Sequence, residues 1–208
     1  MSLVFAAITP HPPIILPSVG SEVDRGKVKG TISNMESLKE VFDEKQPEKI
    51  IISSPHTDWG FNVPLFFLAG GFEGDVEDIL TGMEEPVFYF EKGKQKYGSI
   101  ADTNERIALI ASGDLSHRLK EDGPYGYHPD GERFDDELIS SLEKGDIENI
   151  LSLHQKFPEA GECGLRSFSF LLGVLDAHRN NVKKDPGTDI MSYENPFGVG
   201  YLVVNFDI

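Results

Sequence analysis

Five apolar runs limit what this chain can fold into: Leu3–Ile8, Lys49–Ser53, Pro86–Phe90, Ile107–Ser112 and Val199–Asn205. They are rich in Val, Ile and Phe, and most do not alternate apolar with polar residues. Runs of that kind predict strands covered on both faces. Helix-like stretches lie between them. Glu22 to Glu44 sets Met35, Leu38, Val41 and Phe42 at helical spacing. Phe134 to Lys144 is closed by Gly145, and Ile147 to Phe157 follows it. The clearest is Gly164 to Arg179, where Leu165, Phe168, Leu172 and Leu175 keep a three-to-four period. Alternation of the two types predicts an α/β domain. At 208 residues the chain reads as one domain with a core large enough to be stable.

Charge narrows the function classes. The formal net charge is −16, and no Lys/Arg cluster overrides it locally. Such a chain repels phosphate backbones and anionic membranes, so neither nucleic acid nor a membrane is an expected partner. No stretch approaches the roughly 20 apolar residues of a membrane span. The opening Met1–Ile8 lacks a basic leader and reads as a first strand rather than a signal peptide. The single cysteine, Cys163, excludes an internal disulfide and fits a reducing cytoplasm.

The residues with chemistry follow the apolar runs, where ligands gather in α/β folds. His11 stands in Thr9-Pro10-His11-Pro12-Pro13, and His56 in Ser54-Pro55-His56. Proline stiffens the backbone around both imidazoles, which suits an oriented ligand and equally a rigid loop. His117 ends Ala111-Ser112-Gly113-Asp114-Leu115-Ser116-His117, as a third ligand or a general acid–base. Asp114 would set its tautomer or cap the turn. Glu162 lies in Ala160-Gly161-Glu162-Cys163-Gly164. Its carboxylate is a ligand, a helix-dipole complement or an i,i+4 partner of Arg166. Cys163 is a thiolate ligand or a small core residue. Tyr127 and His128, in a Gly/Pro-rich loop, form either a lid on an aromatic substrate or a solvent-facing turn. His154 and His178 read as structural. No phosphate loop, dinucleotide fingerprint, nucleophile elbow or CxxC pair occurs.

Taken together, these segments resemble the class III extradiol dioxygenase (LigB-like) superfamily, and within it the Memo-like branch. Gly126-Tyr127-His128-Pro129-Asp130-Gly131 and Pro196-Phe197-Gly198-Val199-Gly200-Tyr201 add to the match, which runs in order along nearly the whole chain. The resemblance implies one LigB-like domain over residues 1–208, with a central mixed β-sheet flanked by helices. It implies Fe(II) held by His11, His56 and Glu162, with Cys163 as the alternative ligand and Zn or Cu as alternative metals. This would be a two-histidine, one-carboxylate triad with open positions for substrate and O₂. His117, with Asp114, would move protons, and Tyr127 and His128 would contact a small catechol-like or aminophenol-like substrate. The alternative it implies is a Memo-like copper-binding or partner-binding protein, whose protein partners would be further copies of itself or radical-SAM system proteins. The His56–His117 segment is short for the family and lacks an Asp-His-Gly motif.

Overall fold

The computed structural model describes residues 2–208. Among them, six strands form one sheet: β1 (Leu3–Thr9), β2 (Lys49–Ser54), β3 (Asp75–Leu80), β4 (Ile107–Ser112), β5 (Gly187–Glu194) and β6 (Tyr201–Asp207). The spatial order is β3-β2-β4-β1-β6-β5. The first four are parallel; β6 runs antiparallel to β1, and β5 antiparallel to β6. Seven helices accompany them: α1 (Glu22–Gly26), α2 (Lys29–Lys45), α3 (Asp58–Leu68), α4 (Pro86–Ala101), α5 (Pro129–Lys144), α6 (Ile147–Lys156) and α7 (Leu165–Val182). The expected α/β architecture with a mixed sheet is therefore present.

The central strands are apolar throughout because both faces are covered. Ile50, Ile52, Ala108 and Ile110 pack with Met35, Leu38 and Phe42 of α2. Ile51, Leu109 and Ala111 point the other way, into a core with Phe168, Leu171 and Leu172 of α7 and Tyr89 and Phe90 of α4. Each strand thus feeds two cores by its period of two.

Several expected elements change. Pro86–Phe90 is not a strand but the start of α4, with Pro86 in the first helical turn. Proline is favoured there because its missing N–H has no intrahelical partner in any case. Buried Pro86, Tyr89, Phe90, Gly93, Tyr97 and Ile100 follow a helical period; the first five residues are too few to reveal it. The helix expected over Glu22–Glu44 is two helices. Ser21 and Asp24 form a reciprocal cap on α1, and the break leaves Val28 buried beside Ile15 and Val63. Helix α3 and strands β3 and β5 carry no clear sequence signal. Both strands are sheet edges, and β3, Asp-Val-Glu-Asp-Ile-Leu, is largely exposed. Charged edges guard against unwanted pairing and erase the apolar run that marks a central strand.

The register places the site. Thr9 is level with Ser112, and Ser53 with Ala111, so β1, β2 and β4 end together. His11, His56 and Asp114 each stand two residues past their strand's last residue.

Candidate metal centre

His11 is almost fully buried, at 2% exposure, and is held at three points. Its backbone N–H donates to Asp114 Oδ1 (3.0 Å). Its Nδ1 lies 3.0 Å from Ser112 Oγ, and its Nε2 lies 3.5 Å from Cys163 Sγ. Burial, and then the neighbouring His56, hold its pKa down to about 3. The ring is therefore a neutral imidazole near pH 7, the form that binds metals.

His56 is half-buried, with its ring centroid 5.2 Å from that of His11 in an edge-on arrangement. Ser54 braces its backbone: the hydroxyl accepts from His56 N–H (3.2 Å) and donates to His56 O (3.0 Å). Trp59, in the first turn of α3, packs its ring 5.2 Å from the imidazole and is 45% exposed.

The third group is Cys163. Its sulfur accepts from the Asp114 N–H at 3.3 Å. Donor atoms of His11, His56 and Cys163 all lie within 4.8 Å of one another. Burial, aided by the Asp114 charge, pushes the thiol well above its usual range. It is poorly suited to act as a free nucleophile; a bound cation would favour its thiolate.

Glu162 is placed otherwise. One carboxylate oxygen accepts from the Leu165 N–H (2.8 Å) at the start of α7, and the other from Arg166 (3.2 Å). Burial raises its pKa, and these partners oppose the rise. It is engaged as a helix cap and i,i+4 partner, and is absent from the two-histidine cluster among the described residues. Gly164 lets α7 approach the β4 loop: a Cβ on Gly113 would sit 2.3 Å from Gly164 Cα. That closeness carries Cys163 to His11.

Asp114 is buried, with its carboxyl raised to about 6 by desolvation. His117 lies further along the same loop. Its backbone N–H donates to Ala160 O (3.3 Å), and its Nε2 is buried without a hydrogen-bond partner among the described residues. Burial lowers its pKa; Asp114 opposes this, and the neighbouring His11 and His56 add to it. Tyr125 packs against it, centroids 5.1 Å apart.

Tyr127 and His128 have local duties. The Tyr127 hydroxyl donates to Glu132 (3.3 Å), and His128 Nδ1 accepts from the Asp130 N–H (3.2 Å), capping α5. The residues that flank the imidazoles are Tyr125 and Trp59, with Ser112 beneath His11. Sequence reading missed all three roles. Trp59 is the chain's single tryptophan and Tyr125 shares the loop of Tyr127, so both had a faint signal. Two concavities lie elsewhere: one of about 440 Å³ with Leu142, Ile150 and Phe206 in its wall, and one of about 600 Å³ beside Leu80 and Phe88. Neither holds the convergent donors found around His11.

Comparison with known proteins agrees with this architecture. The family model described as the catalytic LigB subunit of aromatic ring-opening dioxygenase matches residues 57–204. Protein CA_C1420 of Clostridium acetobutylicum is 30% identical over 278 residues, covering 100% of this chain and 58% of its own length. The chain thus spans somewhat over half of that relative. The crystal structure of the uncharacterized protein JW3007 from Escherichia coli K12 is similar with a TM-score of 0.64 at 15% identity, over 97% of this chain and 99% of that one. That likeness concerns the fold. With well over half of its length matched by the family model, this chain belongs to the LigB family of aromatic ring-opening dioxygenase catalytic subunits.

Proposed function

We propose that the protein is a metal-dependent, extradiol-type dioxygenase acting on a small catechol-like or aminophenol-like ring. The carrying observation is the convergence of the His11, His56 and Cys163 donors within 4.8 Å in a LigB-family chain. The residues fit a metal: the His11 ring is neutral, the thiol shares its surroundings, and the unpartnered His117 Nε2 is buried nearby in the same loop system. His11, His56 and Cys163 would hold the ion, with iron as the family reading. Bound iron would supply coordination of substrate oxygens and activation of O₂. His117 would take and return a substrate proton at Nε2, with the Asp114 charge favouring its protonated form. Trp59 and Tyr125 offer aromatic faces against which a planar ring packs. Fe(II)-reconstituted protein should consume O₂ with at least one member of a broad catechol and aminophenol panel. Absence of uptake across the panel would remove the oxygenase assignment.

A second reading follows from the thiol. Sulfur ligands favour Cu(I) or Zn over an oxygen-activating iron, which the carboxylate-containing triad suits better. In this reading the protein is a Memo-like copper-binding protein with radical-SAM system partners. Metal analysis of protein from its native host separates the two. Copper bound, with Cys163 protected from alkylation, supports the second reading. The lone cysteine supports a cytoplasmic setting for either.

A further inference from the structure

Helix α3 contains a proline, Pro64, at its seventh position. Proline has no N–H, and its ring crowds the carbonyl four residues back. That carbonyl belongs to Gly60. The residue is buried, and a Cβ there would lie 2.2 Å from Ser54 Oγ and 3.0 Å from His56 Cβ, so only glycine fits. The Gly60 oxygen has thus lost the i+4 amide that an uninterrupted helix would offer. A buried carbonyl without a donor is costly. The Ser112 hydroxyl, fully buried at the end of β4, supplies the donor.

A hydroxyl has one proton. With it on Gly60 O, Ser112 Oγ meets His11 Nδ1, 3.0 Å away, only as an acceptor. Reversing the bond would leave the Ser112 and Gly60 oxygens facing each other without a proton between them. His11 Nδ1 must therefore carry hydrogen. Its Nε2 keeps a free lone pair on the side of Cys163. Cys163 Sγ, 3.5 Å from Nε2, is a weak partner that can donate or accept and so does not oppose this tautomer, and the nearest carboxylate oxygen, Asp114 Oδ2, is 3.8 Å away, outside hydrogen-bond range.

We propose that Ser112 is a positioning residue that locks His11 in the Nδ1–H tautomer, and that Pro64 makes this possible by leaving the Gly60 carbonyl to take the hydroxyl proton. The chain of contacts runs Pro64, Gly60, Ser112, His11, across α3, β4 and the β1 loop. Its use rests on the reading of His11 Nε2 as a metal donor. The tautomer itself does not depend on that reading.

The test is ¹⁵N-histidine NMR on metal-free protein near neutral pH, beside Zn(II) titration of the same samples. Wild-type His11 should show a protonated Nδ1 and a bare Nε2. Ser112→Ala should lose this preference, and its Zn(II) affinity should fall about 10–100-fold, as when a ligand's outer hydrogen-bond partner is removed. Ser112→Thr, which keeps the hydroxyl, should restore both. A bare Nδ1 in wild-type His11 overturns the proposal, as does Ser112→Ala with unchanged tautomer and affinity. Should Ser112→Ala fail to fold, the wild-type and Ser112→Thr spectra still decide. A protonated Nδ1 without zinc uptake would support the Ser112 role and remove the metal reading. Zinc uptake with a bare Nδ1 would do the reverse.

Discussion

Glu162 and Cys163 are neighbours with opposite surroundings, and the proposed choice of metal turns on them. The carboxylate is taken up by the Leu165 N–H and by Arg166, whereas the sulfur stands 3.5 Å from His11 Nε2. Cys163→Ala should reduce metal content of the purified protein by at least ten-fold while the fold persists. Glu162→Ala should leave metal content unchanged but cost about 0.5–2 kcal/mol in urea unfolding, the usual effect of removing a helix cap. The opposite pattern would return the ligand role to Glu162. A second buried carboxyl, Asp135, accepts from Ser116 N–H (2.8 Å) and from the Tyr193 hydroxyl (2.6 Å) beneath the His117 loop. Burial raises its pKa to about 7. The folded protein then keeps a proton that the unfolded chain releases near pH 4. Its contribution to stability is full below that unfolded value and is lost as pH rises through about 7. Between pH 5 and 8 the wild type should lose about 2 kcal/mol relative to Asp135→Asn, measured by denaturant unfolding at each pH.

At the scale of elements, the contact of α4 with α7 holds one core together through two glycines. A Cβ on Gly93 would sit 2.0 Å from Phe170 O, and one on Gly173 2.0 Å from Phe90 O. The helices cross with backbone almost touching backbone, and neither side has a flexible side chain that could yield. Gly93→Ala or Gly173→Ala should each destabilise by about 1–3 kcal/mol, the range for overpacking. Gly98 on α4 is the control, because nothing lies within 4 Å of a Cβ there. Gly98→Ala should stabilise by about 0.5–1 kcal/mol through helix propensity. Urea midpoints of the three variants check both signs. Equal losses at Gly98 and Gly93 would show that the close crossing is not the cause.

Across the whole molecule, the candidate donors come from segments far apart in sequence: the loops after β1 and β2 and the entry to α7. Their convergence exists only in the folded chain, so a metal bound there is linked to global stability. Zn(II) at about 100 times its dissociation constant should add about 2.7 kcal/mol. For a chain of this size that raises Tm by roughly 5–10 °C. Chelation should reverse the shift, and Cys163→Ala should abolish it. An identical Tm with and without zinc would mean that the donors do not act together.

Much of this was legible in one dimension. Buried central strands announce themselves as apolar runs because both faces are covered, and β1, β2, β4 and most of β6 were expected for that reason. His11, His56 and His117 stood out because proline and glycine punctuate the ends of those runs. Edge strands β3 and β5 did not, since exposure removes the apolar signal. The start of α4 resembled a strand because proline and aromatic residues serve either element over five positions. The amino-acid sequence by itself determined the fold class, the apolar frame and the imidazoles at the strand ends, all of which depend on local pattern. Only the tertiary structure decided that Cys163, not Glu162, faces the histidines, that Tyr125 packs on His117, and that Ser112 meets His11. Those choices depend on strand register, on the glycine-permitted approach of Gly113 and Gly164, and on a loop folding back on itself; Ser112 and Cys163 reach His11 from more than a hundred residues away, which no local pattern encodes.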